Sequence, residues 1–204
     1  MKKVKISPLS LIWFTFLLFS KTPFILPMIC AIILHELGHI LSAFILKIKI
    51  QSFELSILGA RITTKESLSY IDELLFSLGG PLMGIIGFIF TLSPSLNYAD
   101  FPICQDFLFP FSILSLCLSI FNLIPLPSLD GGRILKCLVC LIFSLPTADK
   151  ILHFTYFLTL LCLWMLSVYM MLKTSNGVPM FIFCLIFFSK CFICKAQNGD
   201  LARF

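Results

Sequence analysis

Six apolar runs, beginning near Leu9, Phe24, Leu74, Phe107, Ile151 and Val178, dominate this chain. The longer ones approach the roughly 20 residues that a helix needs to cross a bilayer. In hydrocarbon every backbone N–H and C=O must be satisfied within the protein, so such runs predict transmembrane helices. The composition agrees: 59% of residues are hydrophobic and only 12% are charged, where a soluble domain carries roughly 25% charged residues. The expected fold is an all-α polytopic membrane protein with about six transmembrane helices and a polar, broken-helix segment after the fourth. Ile134 to Leu145 is short for a span and reads as an extra half-helix. The Met1-Lys2-Lys3 start resembles a signal peptide, but no Ala-x-Ala-like cleavage site follows, so an uncleaved first span is expected.

Charge sets the expected orientation. Lys2, Lys3 and Lys5 precede the first run, and Lys47, Lys49, Arg61 and Lys65 follow the second. Arg133, Lys136 and Lys150 follow the fourth, Lys190, Lys195 and Arg203 follow the sixth, and the loop from Ser93 to Asp106 has no Lys or Arg. The positive-inside rule then puts both termini in the cytoplasm of a multi-pass protein, with the inverted topology as the alternative. Lys21 and Lys173 fall on the opposite side, where single lysines can snorkel. The net charge of +5 reports topology rather than nucleic-acid binding, because no basic stripe is interleaved with surface aromatics. The short loops leave no room for an appended soluble domain, so 1–204 is expected to be one membrane-embedded domain with its core at 24–145. The longest connection is the cytoplasmic loop 47–73. Lys49 to Leu55 partly alternates and Gly59 punctuates the stretch before Arg61, which suits a hairpin or edge strand as well as an amphipathic connector. An edge strand there could pair with an extended substrate segment.

Within the second run lies His35-Glu36-Leu37-Gly38-His39, with two of the chain's three histidines. Their i,i+4 spacing puts both imidazoles on one helix face, about 6 Å apart along the axis, close enough to share a metal ion. H-E-x-x-H is a zinc pattern, and Glu36 supplies the general base. Ionisable groups inside a membrane helix are costly, so their default reading is functional. A catalytic zinc wants three protein ligands and an open position. The candidate third ligand is Asp130, in Asn122-Leu123-Ile124-Pro125-Leu126-Pro127-Ser128-Leu129-Asp130-Gly131-Gly132, a stretch that breaks regular helix at membrane depth. One Zn²⁺ per chain with neutral His35 and His39, ionised Asp130 and ionised Glu36 makes a cluster of zero net charge, which a low-dielectric interior tolerates.

These paired motifs, with Gly79-Gly80-Pro81 at the start of the third run, resemble the site-2 protease family, zinc metalloproteases of the membrane. The closer likeness is to the bacterial stage IV sporulation FB type. The resemblance covers roughly Leu9 to Leu172. It implies zinc ligation by His35, His39 and Asp130, base chemistry by Glu36, and substrate or transition-state contact by Asn122, whose other reading is to cap a broken helix. It also implies a bacterial cell membrane location and a single-span membrane protein as substrate. A membrane-tethered sigma-factor precursor leads, ahead of an anti-sigma factor or leftover signal peptides, with regulation by separate membrane proteins. The cytoplasmic nucleotide-sensing type of domain that many sporulation members append is not expected within 1–204.

Other features carry less. His153 heads an aromatic-rich run and marks an interface. Cys137-x-x-Cys140 and Cys191-x-x-Cys194 mimic halves of a thiolate zinc site but lie some 50 residues apart, and the nine cysteines suit reduced, lipid-compatible fillers. Gly79, Gly80, Gly84 and Gly87 suit close helix packing or a glycine-lined substrate passage. The alternative function is a metal transporter or metal-dependent membrane sensor. That class needs successive sites across the bilayer, whereas these ligands concentrate at one depth. A third class is an inactive structural partner.

Overall fold

The computed structural model describes residues 3–6, 24–56, 59–64, 68–98, 100–127 and 129–174. Two compact units are present, Met1–Leu123 and Ile124–Phe204, and each is described by itself.

In the first unit, α1 (Ile25–Ile45) buries Pro27, Ala31, His35, Gly38, His39 and Ala43. Those positions recur every three or four residues, so a single stripe faces inward. The outward positions are large and apolar, as at Ile33, Leu37 and Phe44, which is a lipid-facing surface rather than a soluble one. The helix ends in a Schellman turn. Lys47 takes the left-handed conformation, φ 54°, its N–H donates to Phe44 O, and Ile48 N–H donates to Ala43 O. These bonds use up carbonyls that the helix end would orphan, and Ile48 and Leu46 pack beside Ala43 and Phe76.

Two strands follow, β2 (Ile50–Ser56) and β3 (Gly59–Thr64), paired antiparallel with Phe53 opposite Ile62 and Glu54 opposite Arg61. On the other side of β2 lies β1 (Lys3–Ile6), in parallel register from Lys3 opposite Ser52 to Ile6 opposite Leu55. Of the two readings open for 47–73, hairpin and amphipathic connector, the strands form the hairpin, and a third strand joins it.

Next comes α2 (Tyr70–Asn97), started by Ser69, whose hydroxyl accepts from Asp72 N–H at 3.1 Å. Asp72 and Glu73 in its first turn complement the positive end of the helix dipole. Its inward face is small: Ser77, Gly80, Pro81, Gly84 and Gly87. Between lipid-soluble helices nothing hydrophobic drives association, so close backbone approach must supply the contact. A side-chain carbon at Gly38 would meet the Gly79 carbonyl, one at Gly79 would meet Ser42, and one at Gly84 would meet Ser119. A π-helical turn (Cys104–Leu108) leads into α3 (Phe109–Asn122), which presents Ser112, Ser115 and Ser119 inward.

In the second unit, α4 (Asp130–Ile142) has 13 residues and is too short to cross a bilayer. It is followed by α5 (Leu145–Thr174). Tyr156 of α5 donates its hydroxyl to Gly132 O at 3.1 Å in a buried bond. Leu126, Leu129 and Leu160 form a core beside it. Tyr156→Phe removes the partner of a buried carbonyl and is expected to lower stability by about 1 kcal/mol, read as a lower thermal midpoint in detergent.

The expectation of six spans is corrected. Among the described residues there are five α-helices, and four helical stretches are long and apolar enough to cross a membrane: Ile25–Ile45, Tyr70–Asn97, Cys104–Asn122 and Leu145–Lys173. The runs from Leu9 and Val178, taken as first and sixth, lie outside the described residues. Apolarity measures how readily a stretch enters lipid, not where a helix begins. The fifth run therefore opens at Leu145 rather than Ile151, and the lysine-rich flank before the first run includes a strand.

Candidate metal centre

His35 and His39 stand one turn apart on the buried face of α1, 4% and 6% exposed. Their ring centroids are 5.0 Å apart with planes at 80°. His39 Nδ1 lies 3.0 Å from the Phe76 carbonyl oxygen. A carbonyl only accepts, so Nδ1 must carry the proton, and Nε2 keeps its lone pair for a metal. The Phe76 ring lies 5.3 Å from the His39 ring and limits its rotation.

Opposite these rings α2 supplies Gly80. A side-chain carbon there would collide with His39 Nε2 and come within 2.7 Å of His35 Nε2. Both ligand nitrogens therefore face one small hollow that only glycine leaves open.

Asp130 begins α4, next to Leu129, whose extended backbone (φ −108°, ψ 163°) turns the chain into the helix. A carboxylate in the first turn is favoured by the helix dipole. Gly131 and Gly132 follow it, both buried. A side-chain carbon at Gly132 would strike the Leu126 carbonyl, so this glycine lets the proline-containing segment fold back on the helix start. The ligand atoms offered by His35, His39 and Asp130 all lie within 4.8 Å of one another. Two imidazoles and one carboxylate fit zinc, leaving a fourth position for water or substrate. Among the described residues this is a single candidate site, suited to one Zn²⁺ ion.

Glu36 follows His35 directly and is half-buried. Asn122, the last residue of α3, donates its Nδ2 to Leu118 O at 3.0 Å. Its amide thus bonds back to its own helix, one turn from the end. His153 is exposed and lies outside the ligand group. Cys137 is buried and Cys140 half-buried, while Cys191 and Cys194 lie outside the described residues. The sequence did not mark Phe76 as the carbonyl that fixes His39, and no residue type could have done so, because the partner is backbone. Gly80 was visible only as one glycine among several.

Buried His35 and His39 stand on a membrane-length helix, and Asp130 opens the short α4, a donor set of the kind that holds zinc in metallopeptidases. Residues 63–166 match the model of peptidase family M50, a stretch that contains α2, α3 and Asp130 and begins after the His35–His39 motif. A zinc metalloprotease of Methanocaldococcus jannaschii is 31% identical over 125 residues, covering 59% of this chain and 35% of that protein. The chain thus spans about a third of the length of the curated relatives it matches. The structure of the site-2 protease from M. jannaschii superposes with a TM-score of 0.63 over 98% of this chain and 92% of the other, at 21% identity, a likeness of fold. The chain belongs to peptidase family M50.

Proposed function

We propose that the chain is a zinc-dependent intramembrane endopeptidase, hydrolysing a peptide bond in or near the transmembrane segment of a membrane-tethered protein. The observation that carries this reading is the convergence of two buried imidazoles and a carboxylate, with Glu36 in the same turn as the histidines. A bound zinc would polarise the scissile carbonyl and acidify the attacking water. Glu36 would take the water's proton and return it to the departing amine. His39, held by the Phe76 carbonyl, keeps its metal-facing nitrogen unprotonated. The Asn122 amide nitrogen has two hydrogens; one serves Leu118 O, and the second can reach a developing oxyanion.

A substrate helix must unwind before it is cut, and its freed backbone groups then need partners. Among the described strands β3 has a neighbour on one side only, and its outer edge suits an extended segment. By resemblance to the stage IV sporulation FB type, the substrate is a membrane-tethered sigma-factor precursor and the regulators are separate membrane proteins. The same resemblance gives a bacterial cell membrane location, the positive-inside charge pattern gives cytoplasmic termini, and the short loops support 1–204 working as one metalloprotease domain.

His35→Ala, His39→Ala and Asp130→Ala are each expected to bring zinc below one ion per chain and to abolish proteolysis with it, read by elemental analysis of protein purified in detergent. Full zinc content in the Asp130→Ala protein would remove Asp130 from the ligand set. To find the substrate, membrane fractions from cells carrying wild type or Glu36→Gln are compared by mass spectrometry. An uncut membrane protein should accumulate only in the mutant while a soluble fragment disappears; identical fractions would end the protease reading.

A further inference from the structure

Helical serines and threonines buried in lipid normally return their hydroxyl proton to their own helix, at a carbonyl three or four residues back. In this protein Ser95, Ser112, Ser119 and Ser167 do so, donating to Leu92, Phe109, Ser115 and Trp164 carbonyls. Ser77 does not. It is 0% exposed, and its Oγ has no hydrogen-bond partner among the described residues. Leaving a buried hydroxyl unmatched costs the full desolvation of that group, so its position needs an explanation.

Three placements supply one. Ser77 lies one turn before Gly80 on the inward face of α2, about 4.5 Å along the axis, and Gly80 is the residue that both metal-facing nitrogens approach. Helical phase rotates Ser77 from Gly80 in the same sense as Gly84, and Gly84 faces Ser119 and the Ser115 carbonyl of α3. Because α3 runs antiparallel to α2, its Asn122 end lies toward Ser77. Pro81, four residues on, has no N–H, so the helix ladder offers the Ser77 carbonyl no donor of its own. One residue therefore presents an uncommitted hydroxyl and a carbonyl released from the ladder, beside the metal ligands.

Resting on the protease reading, we infer that Ser77 is a substrate-binding residue that pairs with the unwound backbone next to the scissile bond. Its hydroxyl donates to a substrate carbonyl and its own carbonyl accepts a substrate N–H. The ligand class is an extended peptide lying across α2 between the histidines and the end of α3.

The test uses the full chain in detergent micelles with one equivalent of Zn²⁺ and two probes, a fluorescent peptide hydroxamate and acetohydroxamate, which lacks a peptide backbone. Ser77→Ala should bind the peptide hydroxamate about five- to tenfold more weakly, the loss of one hydrogen bond, with acetohydroxamate affinity and zinc content unchanged. Its thermal midpoint should not fall, since a costly unmatched hydroxyl has gone. Pro81→Ala, which returns an N–H to the Ser77 carbonyl, should weaken the peptide probe alone. Ser115→Ala, removing the other buried hydroxyl without a partner among the described residues, should change neither affinity. Equal binding of the peptide probe by wild type and Ser77→Ala overturns the inference, as does an equal loss for both probes. If the wild type binds neither probe in a zinc-dependent way, the protease reading falls with it.

Discussion

Glu36→Gln is expected to retain one zinc ion per chain and to lose turnover by about 10²- to 10⁴-fold, the range that a positioned acid–base group contributes. The exchange keeps the side chain's volume and its place on α1 beside His35, so the metal pocket keeps its shape. What disappears is the ability to accept a proton at ordinary pH, because an amide oxygen is far less basic than a carboxylate. Ligation rests on His35, His39 and Asp130 and should survive. The measurement pairs zinc analysis with cleavage of a single-span substrate in reconstituted vesicles. Unchanged turnover would sink the base assignment, and loss of zinc would recast Glu36 as part of the metal site.

Gly80→Ala should empty the metal site without unfolding the protein. The added methyl would lie against Nε2 of both histidines, so at least one imidazole must swing away. His39 cannot turn without giving up its bond to the Phe76 carbonyl, a loss of about 1 kcal/mol before any metal is considered. Alanine is meanwhile the better helix former by about 1 kcal/mol, so α2 itself is not weakened. We expect zinc occupancy to fall well below one per chain at micromolar free zinc, with the apoprotein's thermal midpoint unchanged or higher. Gly38→Ala behaves differently, because its methyl would press on the Gly79 carbonyl and carbon, both backbone. There the helices must part, and zinc and stability should fall together. Retention of zinc by Gly80→Ala would show that the histidines have more freedom than this packing allows.

Much of the site was legible in the sequence because its ligands obey a period. Residues four apart on an apolar helix share a face, and His35 and His39 needed only that rule. Asp130 was legible for a different reason: prolines and glycines in a membrane-deep stretch mark backbone that has left the helix, and one carboxylate stands there. The hairpin at Ile50–Thr64 could be read from alternation and Gly59. What could not be read depends on partners distant in sequence. Nothing local tells that Lys3–Ile6 pairs with β2, since four residues of which two are lysines look like a charged flank. The count of six exceeds the four membrane-length helices among the described residues, and hydropathy also misplaces where a helix begins, as at Leu145. The commitment of His39 to Phe76 is a bond to a carbonyl, and every residue has one.

The contact between Gly38 and Gly79 bears on how enzymes of this kind can be told apart in genomes. In H-E-x-x-H the two middle letters are nominally free, and in a water-exposed enzyme they are. Here the second of them is Gly38, which lies against the Gly79 backbone of the neighbouring membrane helix and has no room for a side chain. A pattern written for lipid-embedded catalysts with this helix arrangement should therefore demand glycine at that letter, and small residues about forty positions downstream. That narrower spelling discards the chance occurrences that make a five-letter motif untrustworthy when a new chain is first scanned.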